Sequence, residues 1–329
     1  MKSRKELLIS QQYKRDLTNF PLPEKEEGEK FNPQRDHCNN LSHRKSSASI
    51  KYIFQHHTHC DFQKSVEIFL TKSVSPHYLI PNKGDIIEEF VDIKYKAYHA
   101  GVGRLQENSK LNPMNMEKND MNHWSIGIEN VNNGNEPFSQ DLIESNLMLC
   151  EKLCGEISTI DPKIMIGHSD WTPGRKIDPS PYFPWKQFAN AKRIYEDSDL
   201  LITRNFGLFP REETLELFEE PEIIIENGNI RDSSSFSEKE RIEKLIMIQK
   251  MLQEYGYYIP EEEIGSIGEC TLKVLLSYNI HFKGKEILEN KSDSWTNLLL
   301  DNTNINKINA IACFTENDIT CLEDLLSQF

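Results

Sequence analysis

Segments with the alternation of β-strands are interleaved with segments of helical spacing between residues 46 and 200, and this order limits the fold more than any other feature. In the first such segment Ile50, Tyr52 and Phe54 alternate with the other side chains. The predicted strands are 49–55, 77–81, 125–131 and 163–167, and the predicted helices are 62–72, 139–157 and 185–195. Strands that alternate with helices predict an α/β domain, with a mixed central β-sheet flanked by helices.

The chain after residue 200 has a different character. It carries 12 Lys and Arg against 24 Asp and Glu, and a charge shift of this size indicates a domain boundary. Ser237 and Glu240 form a capping box before a helix that Gly256 ends, and further helices are predicted over 268–279, 295–301 and 316–328. We therefore predict a weakly ordered segment (1–45), a catalytic domain (46–200), an acidic linker (201–235) and a small all-α C-terminal bundle (236–329).

Composition argues against two classes of protein. The formal net charge of −14 is unsuited to a nucleic-acid-binding protein, since phosphate contacts need clustered Lys and Arg. No stretch reaches the roughly 20 apolar residues of a membrane span. The charged segment from Met1 to Asp16 lacks the apolar core of a signal peptide, and this predicts a cytoplasmic location. The seven cysteines are scattered, which predicts free thiols in a reducing compartment.

Two histidines and one aspartate have the positions that a metal site requires. His56 ends one predicted strand, His168 ends another, and Asp178 follows in the next loop. Because strand ends of one sheet meet at one edge, these side chains can converge. Two imidazole nitrogens and one carboxylate oxygen suit Zn²⁺ and leave a fourth position for water. Spacing alone is a weak signal, because a hydrogen-bonded structural histidine is the commoner case.

Four stretches around these residues carry family motifs. They are Phe54-Gln-His-His-Thr58; Ser75-Pro-His-Tyr-Leu-Ile-Pro81 with Tyr98-His-Ala-Gly101; Ser125-Ile-Gly-Ile-Glu129; and Gly167-His-Ser-Asp170 with Pro173-Gly-Arg-Lys-Ile-Asp-Pro179 and Phe183-Pro-Trp185. Together they resemble the N-acetylmuramoyl-L-alanine amidases of the AmpD and AmiD kind, which share the fold of peptidoglycan recognition proteins. The motifs occur in the family order.

The resemblance implies that His56, His168 and Asp178 hold Zn²⁺. It also implies hydrolysis of the amide bond between N-acetylmuramic acid, or its anhydro form, and L-alanine of peptidoglycan stem peptides. Peptidoglycan or muropeptide fragments are then the expected partners. Two alternatives are a non-catalytic peptidoglycan-recognition protein, which typically lacks a metal ligand, and a structural zinc fold, which needs neither a base nor an oxyanion partner.

The resemblance also assigns roles to four residues near the metal ligands. Glu129 ends the Ser-Ile-Gly-Ile-Glu strand, and a lone carboxylate there can act as general base on the attacking water. Lys176 lies two residues before Asp178, where a cation can stabilise the oxyanion. His99 and Arg175 are expected to contact the substrate.

The predicted C-terminal bundle resembles the three-helix peptidoglycan-binding domain that is appended to some of these amidases. The matching stretches are Ile242 to Tyr258 and Cys270 to Phe282. A wall-binding module favours the cell envelope and polymeric substrate. The N-terminal segment instead favours the cytoplasm and soluble fragments.

Overall fold

The computed structural model of the chain describes residues 6–15, 40–84, 86–119, 121–215, 223–231 and 237–329. The chain divides into two compact units. The first comprises Met1–Gly101, Asp120–Ile166 and Asn190–Phe206, and the second comprises Val102–Asn119, Gly167–Ala189 and Gly207–Phe329. The boundaries predicted near residues 200 and 235 separate segments that are each continuous in sequence. They stay a prediction.

The first unit is an α/β structure, as the sequence predicted. Its strands are β1 (Ile9–Ser10), β2 (Leu41–His43), β3 (Tyr52–His57), β4 (Tyr78–Ile80), β5 (Ile87–Glu89), β6 (Tyr95–Ala97), β7 (Ser125–Asn130) and β8 (Met165–Gly167). Its helices are α1 (Phe62–Thr71), α2 (Met121–Trp124), α3 (Gln140–Glu156) and α6 (Ala191–Ile194). Two further helices follow β8 in the chain, α4 (His168–Trp171) and α5 (Trp185–Ala189). Most of the N-terminal segment that was predicted to be weakly ordered lies outside the described residues.

A six-stranded mixed sheet with the order β1-β5-β4-β7-β3-β8 forms the centre of the first unit. Strands β3, β7 and β4 run parallel, and β5 is antiparallel to β4. Helix α3 begins at its N-cap Ser139, whose side chain accepts a hydrogen bond from the Leu142 backbone N–H. The Ser139 cap and the mixed sheet confirm the fold class that the interleaved pattern predicted.

The hydrophobic core of the first unit includes the apolar side of α1. Val66 and Phe69 of this helix pack with Leu79, Phe90 and other buried side chains. The helix begins at Asp61, whose carboxylate accepts a hydrogen bond from the Lys64 backbone N–H, 2.8 Å away. The Asp61 cap and the apolar stripe thus place α1 directly after β3, at that end of the sheet.

The second unit contains most of the remaining helices and a small sheet. The helices are α7 (Glu212–Leu215), α8 (Glu238–Tyr255), α9 (Glu269–Tyr278), α10 (Lys285–Leu300), α11 (Ile305–Ile311) and α12 (Glu316–Ser327), with a π-helical turn at Asn279–Lys283. The predicted capping box is present, since Ser237 and Glu240 exchange hydrogen bonds at the start of α8. Helix α10 starts ten residues before the helix predicted at 295.

The C-terminal helices agree with the prediction, and a small sheet combines one short strand among them with two strands of the predicted acidic linker. Strands β9 (Ile223–Glu226), β10 (Asn229–Ile230) and β11 (Phe314–Thr315) form a three-stranded antiparallel sheet. Strand β11 has two residues and pairs with a segment almost ninety positions earlier. A strand of two residues is too short to show an alternating pattern. Its pairing also depends on a distant partner, which the local sequence does not reveal.

Two further observations concern the described residues as a whole. No helix among them is long and apolar enough to cross a membrane. The six cysteines that the structure describes are free thiols, as the sequence predicted.

Candidate metal centre and active site

Strand register places the predicted base beside the first predicted metal ligand. His56 on β3 is the register partner of Glu129 on β7. Register partners on neighbouring strands point to the same face of a sheet and lie about 5 Å apart. His56 is 1 % exposed, whereas Glu129 is only partly buried. The Glu129 side chain is therefore next to the imidazole of His56.

A chain of hydrogen bonds sets the orientation of the His56 ring. The Ser125 hydroxyl donates its proton to the Met121 carbonyl, 2.7 Å away, so its oxygen can only accept from His99 Nε2, 3.1 Å away. In a neutral ring, His99 Nδ1 then accepts a hydrogen bond from His56 Nε2, also at 3.1 Å. This tautomer puts the His56 lone pair on Nδ1, and a metal-binding histidine is commonly oriented in this way by a bond from its other nitrogen.

Gly127 makes room for the His99 ring. A Cβ atom on Gly127 would lie 2.4 Å from His99 Cγ, so no other residue fits at this point of β7. His99 is itself buried, and its two ring nitrogens contact His56 and Ser125. These contacts are suited to positioning His56, and the contact of His99 with substrate stays a prediction.

The second and third predicted ligands lie side by side. His168 is the first residue of α4, and the Ser169 backbone N–H donates to the Asp178 carbonyl at 2.8 Å. His168 Nδ1 and Asp178 Oδ2 are 3.1 Å apart, and both side chains are buried. Ligand bonds of about 2.0–2.1 Å in a tetrahedral zinc site place neighbouring ligand atoms roughly 3.3 Å apart. The observed separation fits two ligands of one ion.

All three predicted ligands meet in one group. His56, His168 and Asp178 each offer a ligand atom, and these atoms lie within 4.8 Å of one another. All three residues are buried. Three protein ligands with two nitrogens and one oxygen are the donor set of a catalytic zinc site, in which a fourth position stays open.

Arg175 and Lys176 precede Asp178 and have different surroundings. Arg175 Nη2 donates to the Val102 carbonyl at 2.9 Å and lies 3.4 Å from His168 Nε2. Burial lowers the pKa of Arg175 from its usual value, and the Asp178 charge opposes this shift. The half-buried Lys176 ammonium has no hydrogen bond or ion pair to any described residue. A cation in this state can interact with a negative charge on a bound substrate.

A second carboxylate near His168 has a structural role that the sequence did not indicate. Asp170 Oδ2 accepts hydrogen bonds from the Gly167 backbone N–H at 2.7 Å and pairs with His281 Nδ1 at 2.8 Å. Its Oδ1 accepts from the Tyr257 hydroxyl at 2.7 Å. Both oxygens are thus occupied within the second unit. No sequence signal links Asp170 to partners about ninety to 110 positions later.

Two other histidines of the motif region have structural contacts instead of metal-binding positions. His57 faces the opposite side of β3 from His56, and its Nε2 lies 2.9 Å from His59 Nδ1. His77 Nδ1 accepts from the Gly127 backbone N–H, and its Nε2 lies 3.0 Å from the Arg44 guanidinium. Burial, together with the Arg44 charge, lowers the pKa of His77 well below its usual value. His77 therefore stays neutral.

Comparison with known proteins supports the family resemblance. Residues 46–181 match the family described as N-acetylmuramoyl-L-alanine amidase. The chain is 32% identical over 155 residues to AmiD of Escherichia coli K12, which covers 43% of this chain and 52% of AmiD. It is 32% identical over 122 residues to AmpD of Haemophilus influenzae, covering 36% of this chain and 58% of AmpD. The chain thus spans little more than half the length of these curated relatives.

Solved structures show the same fold over more of the chain. The complex of E. coli AmiD with anhydro-N-acetylmuramic acid-L-Ala-D-γ-Glu-L-Lys aligns with a TM-score of 0.58 at 20% identity, covering 87% of this chain and 93% of AmiD. AmpDh3 from Pseudomonas aeruginosa aligns with a TM-score of 0.54 at 21% identity, covering 85% and 92%. The likeness of fold therefore continues beyond residues 46–181.

Proposed function

We propose that the chain is a zinc-dependent amidase, because residues 46–181 match the N-acetylmuramoyl-L-alanine amidase family. The bond cleaved is the amide between N-acetylmuramic acid, or its anhydro form, and L-alanine of a stem peptide. The observation that carries the proposal is the group of His56, His168 and Asp178, whose ligand atoms lie within 4.8 Å of one another. Glu129 beside His56 adds the base that hydrolysis requires.

His56, His168 and Asp178 would hold the zinc ion. When bound, zinc lowers the pKa of a coordinated water and polarises a carbonyl. Glu129 takes the proton of the attacking water and returns it to the leaving amine of L-alanine as the C–N bond breaks. The Lys176 ammonium stabilises the negative charge on the carbonyl oxygen. His99 holds the His56 ring in the tautomer described above.

Arg175 is proposed to contact the substrate. Arg175 is an exposed residue overall, and its planar, permanently charged group is suited to a carboxylate of the stem peptide.

The function is tested with two substrates, intact sacculi and soluble anhydro-muropeptides. Products are analysed by mass spectrometry with the zinc-loaded protein, after chelation, and with Glu129→Ala. We expect release of stem peptides that begin with L-Ala, and loss of this activity in both controls. Zinc-loaded protein that binds muropeptides and cleaves neither substrate would favour the recognition protein instead.

The same assay addresses the place of action. We propose a cytoplasmic recycling enzyme, which would prefer soluble anhydro fragments, with an envelope enzyme as the alternative. Cleavage of sacculi at a rate comparable to that of soluble fragments would support the envelope.

A further inference from the structure

The short helix α4 depends on its surroundings for a fixed position. It has four residues, His168–Trp171, and a helix of this length is at most marginally stable by itself in water. It nevertheless begins with the predicted ligand His168, and the Ser169 backbone N–H donates to the carbonyl of Asp178, the third predicted ligand. The placement of two predicted ligands therefore depends on the contacts that hold α4 from outside.

Three side chains from the C-terminal part of the second unit supply such contacts. The Ser277 hydroxyl on α9 donates to the Ser169 carbonyl at 2.8 Å. Tyr257, which follows α8, donates to Asp170 Oδ1, and His281, in the π-helical turn, pairs with Asp170 Oδ2 at 2.8 Å. All of these residues belong to one compact unit, and all are buried. Hydrogen bonds away from water are strong, so together they restrain α4.

His281 has no other polar contact than the one with α4 in the part of the chain that the structure describes. An ionised Asp170 can only accept, so His281 Nδ1 carries the proton of their hydrogen bond. The imidazole is 2 % exposed, and its Nε2 has no hydrogen-bond partner among the described residues. The bond to Asp170, two residues after His168, is therefore what this buried histidine contributes in polar terms.

The same ring also packs against the chain that follows Asp178. The Trp185 indole stacks on the His281 imidazole, with ring centroids 3.8 Å apart and planes inclined by 16°. At the end of the π-helical turn, a Cβ atom on Gly284 would lie 2.8 Å from the Pro181 carbonyl oxygen, so the two backbones approach closely. Such π-helical turns occur frequently at functional sites. This turn thus contacts the ligand-bearing chain both before and after Asp178.

We propose that His281 is a positioning residue of the metal centre, which fixes His168 and Asp178 through its bond to Asp170. This inference rests on the proposed function, specifically on its zinc site, and it gives the C-terminal helices a part in forming that site. A metal site tolerates little displacement of its ligands, and the loss of a group that only supports a ligand costs about 10- to 100-fold in metal affinity. His281 is not itself a ligand and acts through α4.

The test measures zinc affinity in the full chain with two substitutions at one position. His281→Leu removes the donor and keeps an apolar side chain against Trp185. His281→Asn retains an N–H donor at the same number of bonds from the backbone, so it can still donate to Asp170. Zinc Kd is measured by competition with a chromophoric chelator, well below the unfolding temperature of each variant. The visible spectrum of the Co²⁺-loaded protein reports the geometry of the ligands.

Gln249→Leu is the matched control for a loss of stability alone. Gln249 is a buried residue of α8, and its Nε2 donates to the Ser266 carbonyl and the Thr271 hydroxyl at 2.9 and 3.0 Å. Its hydrogen-bond partners among the described residues lie in the segment 263–271, away from α4 in the chain. This variant should therefore unfold more easily and bind zinc as the wild type does.

We expect His281→Leu to raise the zinc Kd by about 10- to 100-fold and to change the Co²⁺ spectrum, whereas His281→Asn should stay within about threefold of the wild type. Ser277→Ala, which removes the bond to the Ser169 carbonyl, should raise the Kd by a smaller factor. A folded His281→Leu that binds zinc as tightly as Gln249→Leu would overturn the proposal. If His281→Leu does not fold, an unchanged Kd in Ser277→Ala overturns it.

The zinc measurement separates this inference from the amidase function. A wild type that binds zinc and cleaves no muropeptide contradicts the amidase, while the dependence of the zinc Kd on His281 still decides the positioning role. Cleavage by the wild type, together with an unchanged Kd in folded His281→Leu, leaves the amidase in place and rejects the role of His281. A wild type that binds no zinc rejects both.

Discussion

The two faces of β3 both bury polar side chains, but their polar atoms have different partners. On one face, Gln55 exchanges hydrogen bonds with Asn146 and Asn130, at 2.9–3.1 Å. Asn146 also donates to Asn130 at 2.8 Å, so the three amides satisfy one another. On the other face, His56 lies beside Glu129 and within 4.8 Å of two further ligand atoms. In the first arrangement, which we call closed, the polar atoms satisfy one another. In the second, the ligand atoms converge on one position.

This difference explains which buried polar residues belong to the site. A closed network of amides stabilises the fold and specifies one packing of α3 on the sheet, because each unmet bond would be costly. Atoms that each offer a lone pair to a metal stabilise one another little. A bound metal ion satisfies all of them at once. Gln55 and His56 are adjacent in the sequence, and only the direction of their side chains separates structure from chemistry.

The largest expected effect comes from removing a ligand on the converging face. His56→Ala should bind less than a tenth of the wild-type zinc, as measured by atomic absorption after dialysis. Its kcat/KM on anhydro-muropeptide should fall by roughly 10³-fold or more, since even the loss of a residue that only supports a ligand costs about 10- to 100-fold.

The adjacent His57→Ala is the matched control for this experiment. His57 lies on the opposite face and contacts His59, so this variant should keep a full complement of zinc. Zinc loss in His57→Ala equal to that in His56→Ala would contradict the assignment of the two faces.

Glu129→Gln should separate chemistry from metal binding. The variant keeps the shape of the side chain and removes the base, so kcat should fall by about 10²–10⁴-fold while the zinc content stays at the wild-type level. Turnover and metal analysis on the same sample test this. A kcat within threefold of the wild type would remove Glu129 from the mechanism.

Local patterns predicted much of the fold, because caps and strand alternation depend on neighbouring residues, whereas the ligand set stays a prediction. The Ser139 cap, the Ser237 capping box and the strand ending at His56 are examples. Motif and alternation select His56 over His57 as the predicted metal ligand. The contacts of Asp170 were not predicted, since they depend on residues far along the chain.

Asn146→Leu tests the closed face. Its loss removes two hydrogen bonds of the Gln55 amide and one of the Asn130 amide, which should lower the free energy of unfolding by about 2–3 kcal/mol. Urea denaturation of the wild type and variant measures this difference. Zinc content and kcat should change less than twofold in the folded protein. A stable variant with impaired zinc binding would show that the two faces are not independent.

The second unit offers a smaller test of the same distinction. Asp170 is a carboxylate near the predicted ligand His168, and both of its own oxygens already accept hydrogen bonds. Tyr257→Phe removes one of its hydrogen bonds and should lower the free energy of unfolding by about 1.5 kcal/mol. Zinc at saturating concentration should still bind with one ion per chain. A loss of zinc instead of stability would make Asp170 part of the metal centre.

The smallest expected effect is on the alkylation of the cysteines near the two faces of β3. Cys150 accepts a weak contact from the Gln55 amide, and burial raises the pKa of its thiol well above the usual value. Burial also raises the pKa of Cys154 to about 11. Both thiols therefore stay protonated at pH 8, and since the thiolate is the reactive form, iodoacetamide should leave them unmodified in the folded protein.

Cys60 provides the comparison, because it is half-buried. Mass spectrometry of peptides after brief alkylation should find Cys60 modified well before Cys150 and Cys154. Raising the pH toward 11 should increase the labelling of Cys154, because its thiolate fraction grows. Labelling of Cys150 as rapid as that of Cys60 in native protein would mean that the amide face opens to solvent, and it would weaken the distinction between a closed and an accessible face.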